Sequence, residues 1–288
     1  MAARYVITSD NTTDLPQEFI QKNNLPLAFL SYSIDDQEYT QEDGLEIGEF
    51  YRLMREGKMT KTGMVNPEGA RALFEPILKQ GMDILHLAFS SGLSGTFASC
   101  RAAAQELLAE YPERRIEVVD TLAASLGEGL IVYKALKLKS EGKSLEEVLQ
   151  WVEENRLHLC HYFTVDDLHF LHRGGRVSKA AAVMGTMLGI KPVLHVDDEG
   201  HLIPITKVRG RKQSLIKLVD YMQELSKGYE NDIIFISHGD CMEDAQYVAD
   251  EVRSRLGIQN FIINHVGPTI GAHSGPGTLA LFFFGEHR

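Results

Sequence analysis

The chain has 288 residues, with 29 Lys and Arg against 40 Asp and Glu and a formal net charge of −11 at pH 7. A hydrophobic share of 44% and a charged share of 24% are ordinary for a globular protein and exclude extensive disorder. At this length roughly three quarters of the unfolded surface can be buried, which allows one large or two modest domains, and the acidic balance argues against binding a nucleic-acid backbone, which needs a basic face.

The opening MAARYVITSD lacks the charged segment and apolar core of a signal peptide. YVITSD, DILHLAFS and IEVVD read as β-strands ending in polar residues, and loops at strand C-termini are where ligands usually sit. Between and after them, residues 66–80, 94–111 and 126–141 carry apolar side chains at three- and four-residue spacing, the mark of amphipathic helices. Asn66 ahead of Pro67 predicts a capped helix entry, and Ser144 with Glu147 predicts a capping box. PVLHVDDEGHLIPITKV (192–208) reads as an antiparallel hairpin turning at 197–200, a shift in texture that places a second domain from about residue 160. Two long helices, 213–227 and 242–256, alternate with strands IIFISHG and FIINHVG. A glycine-rich loop then leads into a final buried strand, Leu279 to Phe284, which is far short of the roughly 20 residues a membrane span needs. Cys100, Cys160 and Cys241 show no C-x-x-C pairing, which argues against a disulfide framework and a thiolate zinc site; a reducing, cytoplasmic setting is expected.

Five stretches carry candidate chemistry. In FSSGLSGTFAS, two glycines bracket Ser94 between a strand end and a helix, so an anionic oxygen beside Ser94 and Gly95 would meet unpaired amides and the positive end of the helix dipole. Ser94 acting only as a helix cap is the plainer alternative. A serine-hydrolase elbow, with His273 as base, is weakened because Thr96 stands where G-x-S-x-G requires glycine. Thr62 lies outside the Asn66 cap and is free to offer a hydroxyl to a ligand, with a plain exposed loop threonine an equal alternative. In VDDLHFLHRGGRVSK, Arg173 and Arg176 flank a glycine pair and could grip a phosphate, although helix ends and turns explain the same residues. His169 with His172, and His158 with His161, lack a third ligand at conventional spacing, so no metal site is expected. His273 and Ser274 sit among Gly271, Gly275 and Gly277, where backbone can approach a ligand closely. KVRGRK (207–212) is a basic patch, most simply a solvated face, whose place at a strand-to-helix junction also suits an acidic or phosphorylated partner. There is neither a G-x-x-x-x-G-K-[ST] loop nor the protein-kinase motif set.

Taken in order, SDNTTDLP, KTGMVNP, SSGLSGT, DTLAASLGEG, TVDDLHFLHRGGRVSKA, GIKPVLHVDDEGHLIPITKVRGRKQSL and GPTIGAHSGPG resemble the DegV family of bacterial fatty-acid-binding proteins across nearly the whole chain. The resemblance implies an α/β fold of two domains: a parallel three-layer α/β/α domain (1–160) and a mixed-sheet α/β domain (161–288), with a long-chain fatty acid buried between them. It implies carboxylate contacts on Thr62, Ser94, the Gly95 backbone and His273. It further implies a non-enzymatic carrier, without a cofactor, whose bound carboxylate is phosphorylated by a separate ATP-dependent fatty acid kinase subunit and carried toward phospholipid synthesis. Arg173 and His273 would then lie near the phosphorylation site and Arg209 on the kinase-facing surface. The chain departs from the family's T-S-Q-P-S by carrying Thr62, Gly63, Met64, Val65 and Asn66, which removes the serine after the threonine. Other readings are a serine hydrolase or small-molecule kinase on a related fold, and a regulatory protein with structural lipid.

Overall fold

The computed structural model describes residues 4–40, 43–178 and 189–288; Lys179 and Ala180, which end the stretch TVDDLHFLHRGGRVSKA, lie outside them. A parallel sheet of four strands, in the order β2-β1-β6-β7, joins β1 (Tyr5–Asp10), β2 (Leu27–Ala28), β6 (Asp83–Ala88) and β7 (Ile116–Asp120). β6 is buried along its whole length, as a parallel strand covered on both faces must be. Helices α3 (Pro67–Lys79) and α4 (Thr96–Glu110) cover one face through Phe74, Ala103 and Leu107. On the other face lie α5 (Leu126–Ser140) and α6 (Leu145–Asn155). The expected caps are present: Asn66 Oδ1 accepts from the Gly69 amide at 2.8 Å, and Ser144 and Glu147 form the reciprocal box.

A mixed sheet of six strands runs β10-β9-β8-β13-β11-β12. Its members are β8 (Leu159–Thr164), β9 (Ile190–Val196), β10 (Leu202–Arg209), β11 (Ile234–His238), β12 (Phe261–His265) and β13 (Leu279–Phe284). Only the β11–β12 pair is parallel; β9 and β10 form the expected hairpin. Helices α8 (Arg211–Leu225) and α9 (Met242–Leu256) bury one face with Leu218, Met222 and Val248.

α5 differs from the amphipathic helix expected. Every residue from Leu126 to Val132 is buried, because the parallel sheet packs on one side and the mixed sheet on the other, and a single core unites Leu85 and Leu87 with Phe235 and Phe282. The enclosed stretch therefore shows no polar side chain to solvent, and Lys137 and Ser140 are exposed only beyond it. Its two glycines make the approach possible: a Cβ on Gly127 would meet His161 Nε2 at 2.2 Å, and one on Gly129 would meet the Thr13 carbonyl at 2.7 Å.

Two elements depart from the sequence expectation. A small antiparallel sheet, β4-β3-β5, is made of β3 (Tyr32–Ile34), β4 (Gln37–Tyr39) and β5 (Thr60–Thr62), each too short to carry a periodic signal. α2 (Ile47–Arg55) packs on it through Phe50 and Tyr51. The glycine-rich segment after β12 is not loop throughout: Gly267 and Pro268 start a short helix, α10 (Pro268–Ser274), which ends at Gly275 with φ 81°. Proline at the first helical position and glycine just past the last give the turn its start and stop despite the glycine content.

Candidate functional site

The ends of β5, β6 and α10 meet at the mouth of one cavity of about 480 Å³, within the range of roughly 300–1,000 Å³ usual for small-molecule sites. Most of its wall is apolar, with Leu30, Phe89, Phe163, Ile270 and Phe282 contributed from both large sheets and their loops.

Four of the expected site residues lie on this wall: Thr62, Ser94, Gly95 and His273. Thr62 ends β5 instead of sitting in an open loop, and its hydroxyl lies 2.8 Å from His273 Nε2 at the last turn of α10. The Gly174 backbone packs against the Nδ1 edge of the His273 ring, where a Cβ would fall 2.2 Å from Nδ1. Burial, reinforced by the positive Arg176 and Arg173, pushes the His273 pKa down to about 4, so the ring is neutral at neutral pH. Ser94 has the ligand-facing placement, while the helix cap falls one residue later at Gly95. Ser94 Oγ accepts from the Thr96 amide at 3.2 Å and pairs with Thr96 Oγ1 at 3.0 Å. No imidazole is among those partners to activate it as a nucleophile. Thr96 Oγ1 also accepts from the Val65 amide at 3.2 Å, which ties the segment after Thr62 to the Ser94 turn.

Arg176, not Arg173, reaches the cavity. Its guanidinium donates to the Leu93 carbonyl at 2.9 Å and to the Gly174 carbonyl, bridging the Ser94 turn to the residues that back His273. Among the described residues it is the one charged side chain other than histidine in the lining, and burial lowers its pKa without discharging it. Arg173, the last residue of α7 (Leu168–Arg173), is exposed; it donates to Thr60 Oγ1 at 3.3 Å and lies over the Phe170 ring. Arg209 is exposed at the end of β10 and lies outside the cavity wall.

The histidine pairs do not come together as chelates. On β8, His161 turns into the cavity with Nε2 accepting from the Ala124 amide at 3.4 Å, while His158 Nδ1 lies 3.1 Å from the Gly285 carbonyl. His172 Nδ1 faces the Val177 carbonyl at 3.5 Å, whereas His169 is exposed.

A second polar group lines the same cavity and was not singled out in the sequence. Ser125 Oγ donates to Asp14 Oδ2 at 2.5 Å and lies 3.0 Å from Ser237 Oγ; Ser125 and Ser237 are both in the wall. Burial lifts the Asp14 pKa from 3.8 to about 7 against the lowering effect of the Ser125 hydrogen bond. Ser125 heads α5 with φ 56° and ψ −146°, a region L-residues rarely adopt, at a cost of order 1–3 kcal/mol. Ser274 Oγ is buried and lacks a protein hydrogen-bond partner. Asp14 and Ser125 each follow a strand of the parallel sheet, so the rule that ligands gather beyond strand C-termini was the available signal.

Comparison with known proteins agrees with this architecture. The family model "Uncharacterised protein, DegV family" matches residues 4–286. The DegV domain-containing protein CPE0026 of Clostridium perfringens is 44% identical over 287 residues, covering 99% of both chains. A DegV family protein from Thermus thermophilus, described for its fatty acid binding, superposes with a TM-score of 0.88 at 31% identity, covering 98% of this chain and 99% of that one. DegV of Bacillus subtilis, described as a fatty acid binding protein, gives 0.85 at 27% identity, covering 99% and 100%. The α/β fold of a parallel and a mixed sheet is thus the fold of those structures, and the chain belongs to the DegV family.

Proposed function

We propose that the chain binds a long-chain fatty acid, with the hydrocarbon in the cavity and the carboxylate at Thr62, Ser94, the Gly95 backbone and His273, beside Arg176. The observation that carries this reading is the wall itself: apolar over most of its area, with one cationic side chain next to a cluster of hydroxyls, a neutral imidazole and a helix N-terminus. An apolar chain of roughly 15 methylenes, at about 0.8 kcal/mol each, gains on the order of 12 kcal/mol on transfer before binding costs. The buried carboxylate must still be paired, and this cluster supplies donors to it. The fatty-acid binding described for the Thermus thermophilus and Bacillus subtilis relatives supports the same ligand class.

The protein is then a carrier, not an enzyme. In the fuller form of the proposal, it presents the carboxylate to a separate ATP-dependent fatty acid kinase subunit and carries the acyl-phosphate toward phospholipid synthesis. Arg173 and Arg209, both outward-facing, suit the meeting with that subunit. Native mass spectrometry of the purified chain, followed by identification of the lipid released on denaturation, tests the first claim. A stoichiometric long-chain fatty acid supports it; an empty protein that also takes up no added palmitate or oleate overturns it. Adding a fatty acid kinase and ATP tests the second: acyl-phosphate must form from protein-bound lipid and disappear with Arg209→Glu.

A further inference from the structure

Away from the cavity wall, inside the layer between the parallel sheet and α4, three potential ligands of different type converge: Asp10 at the end of β1, His86 on β6 and Cys100 on α4. One ligand atom from each lies within 4.8 Å of the others, and all three residues are fully buried. The outer atom of each polar side chain is tied down. His86 Nδ1 lies 2.9 Å from Thr8 Oγ1, and Asp10 Oδ2 accepts from the Phe89 amide at 2.8 Å. The inner atoms, His86 Nε2 and Asp10 Oδ1, pair across 3.4 Å, and neither closes a hydrogen bond among the described residues.

That spacing is longer than a closed hydrogen bond and leaves room for a shared ion. A charge-assisted N–H to carboxylate hydrogen bond closes to about 2.7–2.9 Å. Two ligands of a tetrahedral zinc ion, each about 2.0–2.2 Å from the metal, stand about 3.3–3.5 Å apart. Orienting partners on the far atoms of a histidine and a carboxylate are also the usual outer shell of a metal site. We propose that Asp10, His86 and Cys100 form a buried zinc-binding site that joins β1, β6 and α4. Thiolate, imidazole and carboxylate together suit zinc. One carboxylate and one thiolate carry two negative charges that a divalent ion cancels, so the filled site is buried without net charge. The sequence hid it because the ligands are scattered over three elements, with no C-x-x-C or His-rich spacing.

The site is independent of the fatty acid and is tested without it. The untagged full chain, isolated from zinc-supplemented cells and desalted against a mild chelator, is expected to hold about one zinc per chain. Refolding with Co²⁺ is expected to give the intense visible bands of tetrahedral cobalt with a thiolate charge-transfer band. Cys100→Ala removes that charge-transfer band, while the Cys160→Ser, Cys241→Ser double variant keeps it. A native chain with zinc at background level that also retains no cobalt on refolding overturns the proposal, as does a charge-transfer band lost in the double variant.

Discussion

At the scale of single residues, the site separates what a one-dimensional reading can and cannot see. Thr62, Ser94 and His273 were visible because glycines and strand ends surround them, and the fold brings all three to one mouth. Arg176 could not be ranked above Arg173 from sequence, since only the turn after α7 decides which guanidinium faces inward. Asp14 and Ser125 meet across 111 positions, a pairing no local pattern encodes. Replacing Arg176 with Met is expected to weaken palmitate binding about 10- to 100-fold, the worth of a charged hydrogen bond. Binding of hexadecanol should change much less; equal losses for acid and alcohol would show that Arg176 merely shapes the cavity. Because His273 is neutral down to about pH 4, palmitate affinity should show no break near the usual histidine pKa of about 6.5, which titration calorimetry between pH 5.5 and 8 would detect. Asp14 bears on stability. The fold holds its proton more tightly than the unfolded chain does, so its stabilising contribution is complete below the unfolded pKa of 3.8 and is lost as pH rises to about 7. The difference is on the order of 4 kcal/mol, and Asp14→Asn should flatten the melting temperature between pH 4 and 7 relative to the parent.

At the scale of elements, long periodic segments were legible and short ones were not. Apart from the two-residue β2 and the unread β8, the strands of both large sheets and helices α3, α4, α6, α8 and α9 carry clear periodicity or caps, and they form close to where that pattern puts them. β3, β4 and β5 have three residues each, fewer than two repeats of a strand pattern, and are held by the Tyr32, Phe50 and Tyr51 cluster instead of by local preference. α5 was legible as a helix but not as an enclosed one, because enclosure depends on which sheets arrive on its two sides. The Gly127 and Gly129 contacts make that enclosure testable. Gly129→Ala drives a methyl toward the rigid Thr13 carbonyl, whereas Gly127→Ala meets the His161 and Phe282 side chains, which can shift. Overpacking of this kind costs about 1–3 kcal/mol, and urea unfolding should show the larger loss for Gly129→Ala. Equal, negligible losses would mean that the sheets do not press on the helix as described.

At the scale of the whole molecule, α5 acts as a shared beam: one core runs from the parallel sheet through the helix into the mixed sheet. The amides of residues 126–132 should therefore be among the slowest in the chain to exchange with deuterium, and should open only with global unfolding. This has a kinetic corollary. Because clamshell opening would have to break the core the two lobes share through α5, the proposed acyl guest is expected to enter and leave end-on past the rim. At that rim Met64 is 56% exposed and rests against Gly95, where a Cβ would fall 2.6 Å from its sulfur. Its flexible thioether is then expected to contribute to residence time. Shortening it with Met64→Ala should speed both uptake and release of palmitate while leaving the equilibrium affinity nearly unchanged, and oxidising it to the sulfoxide should alter the same two rates together.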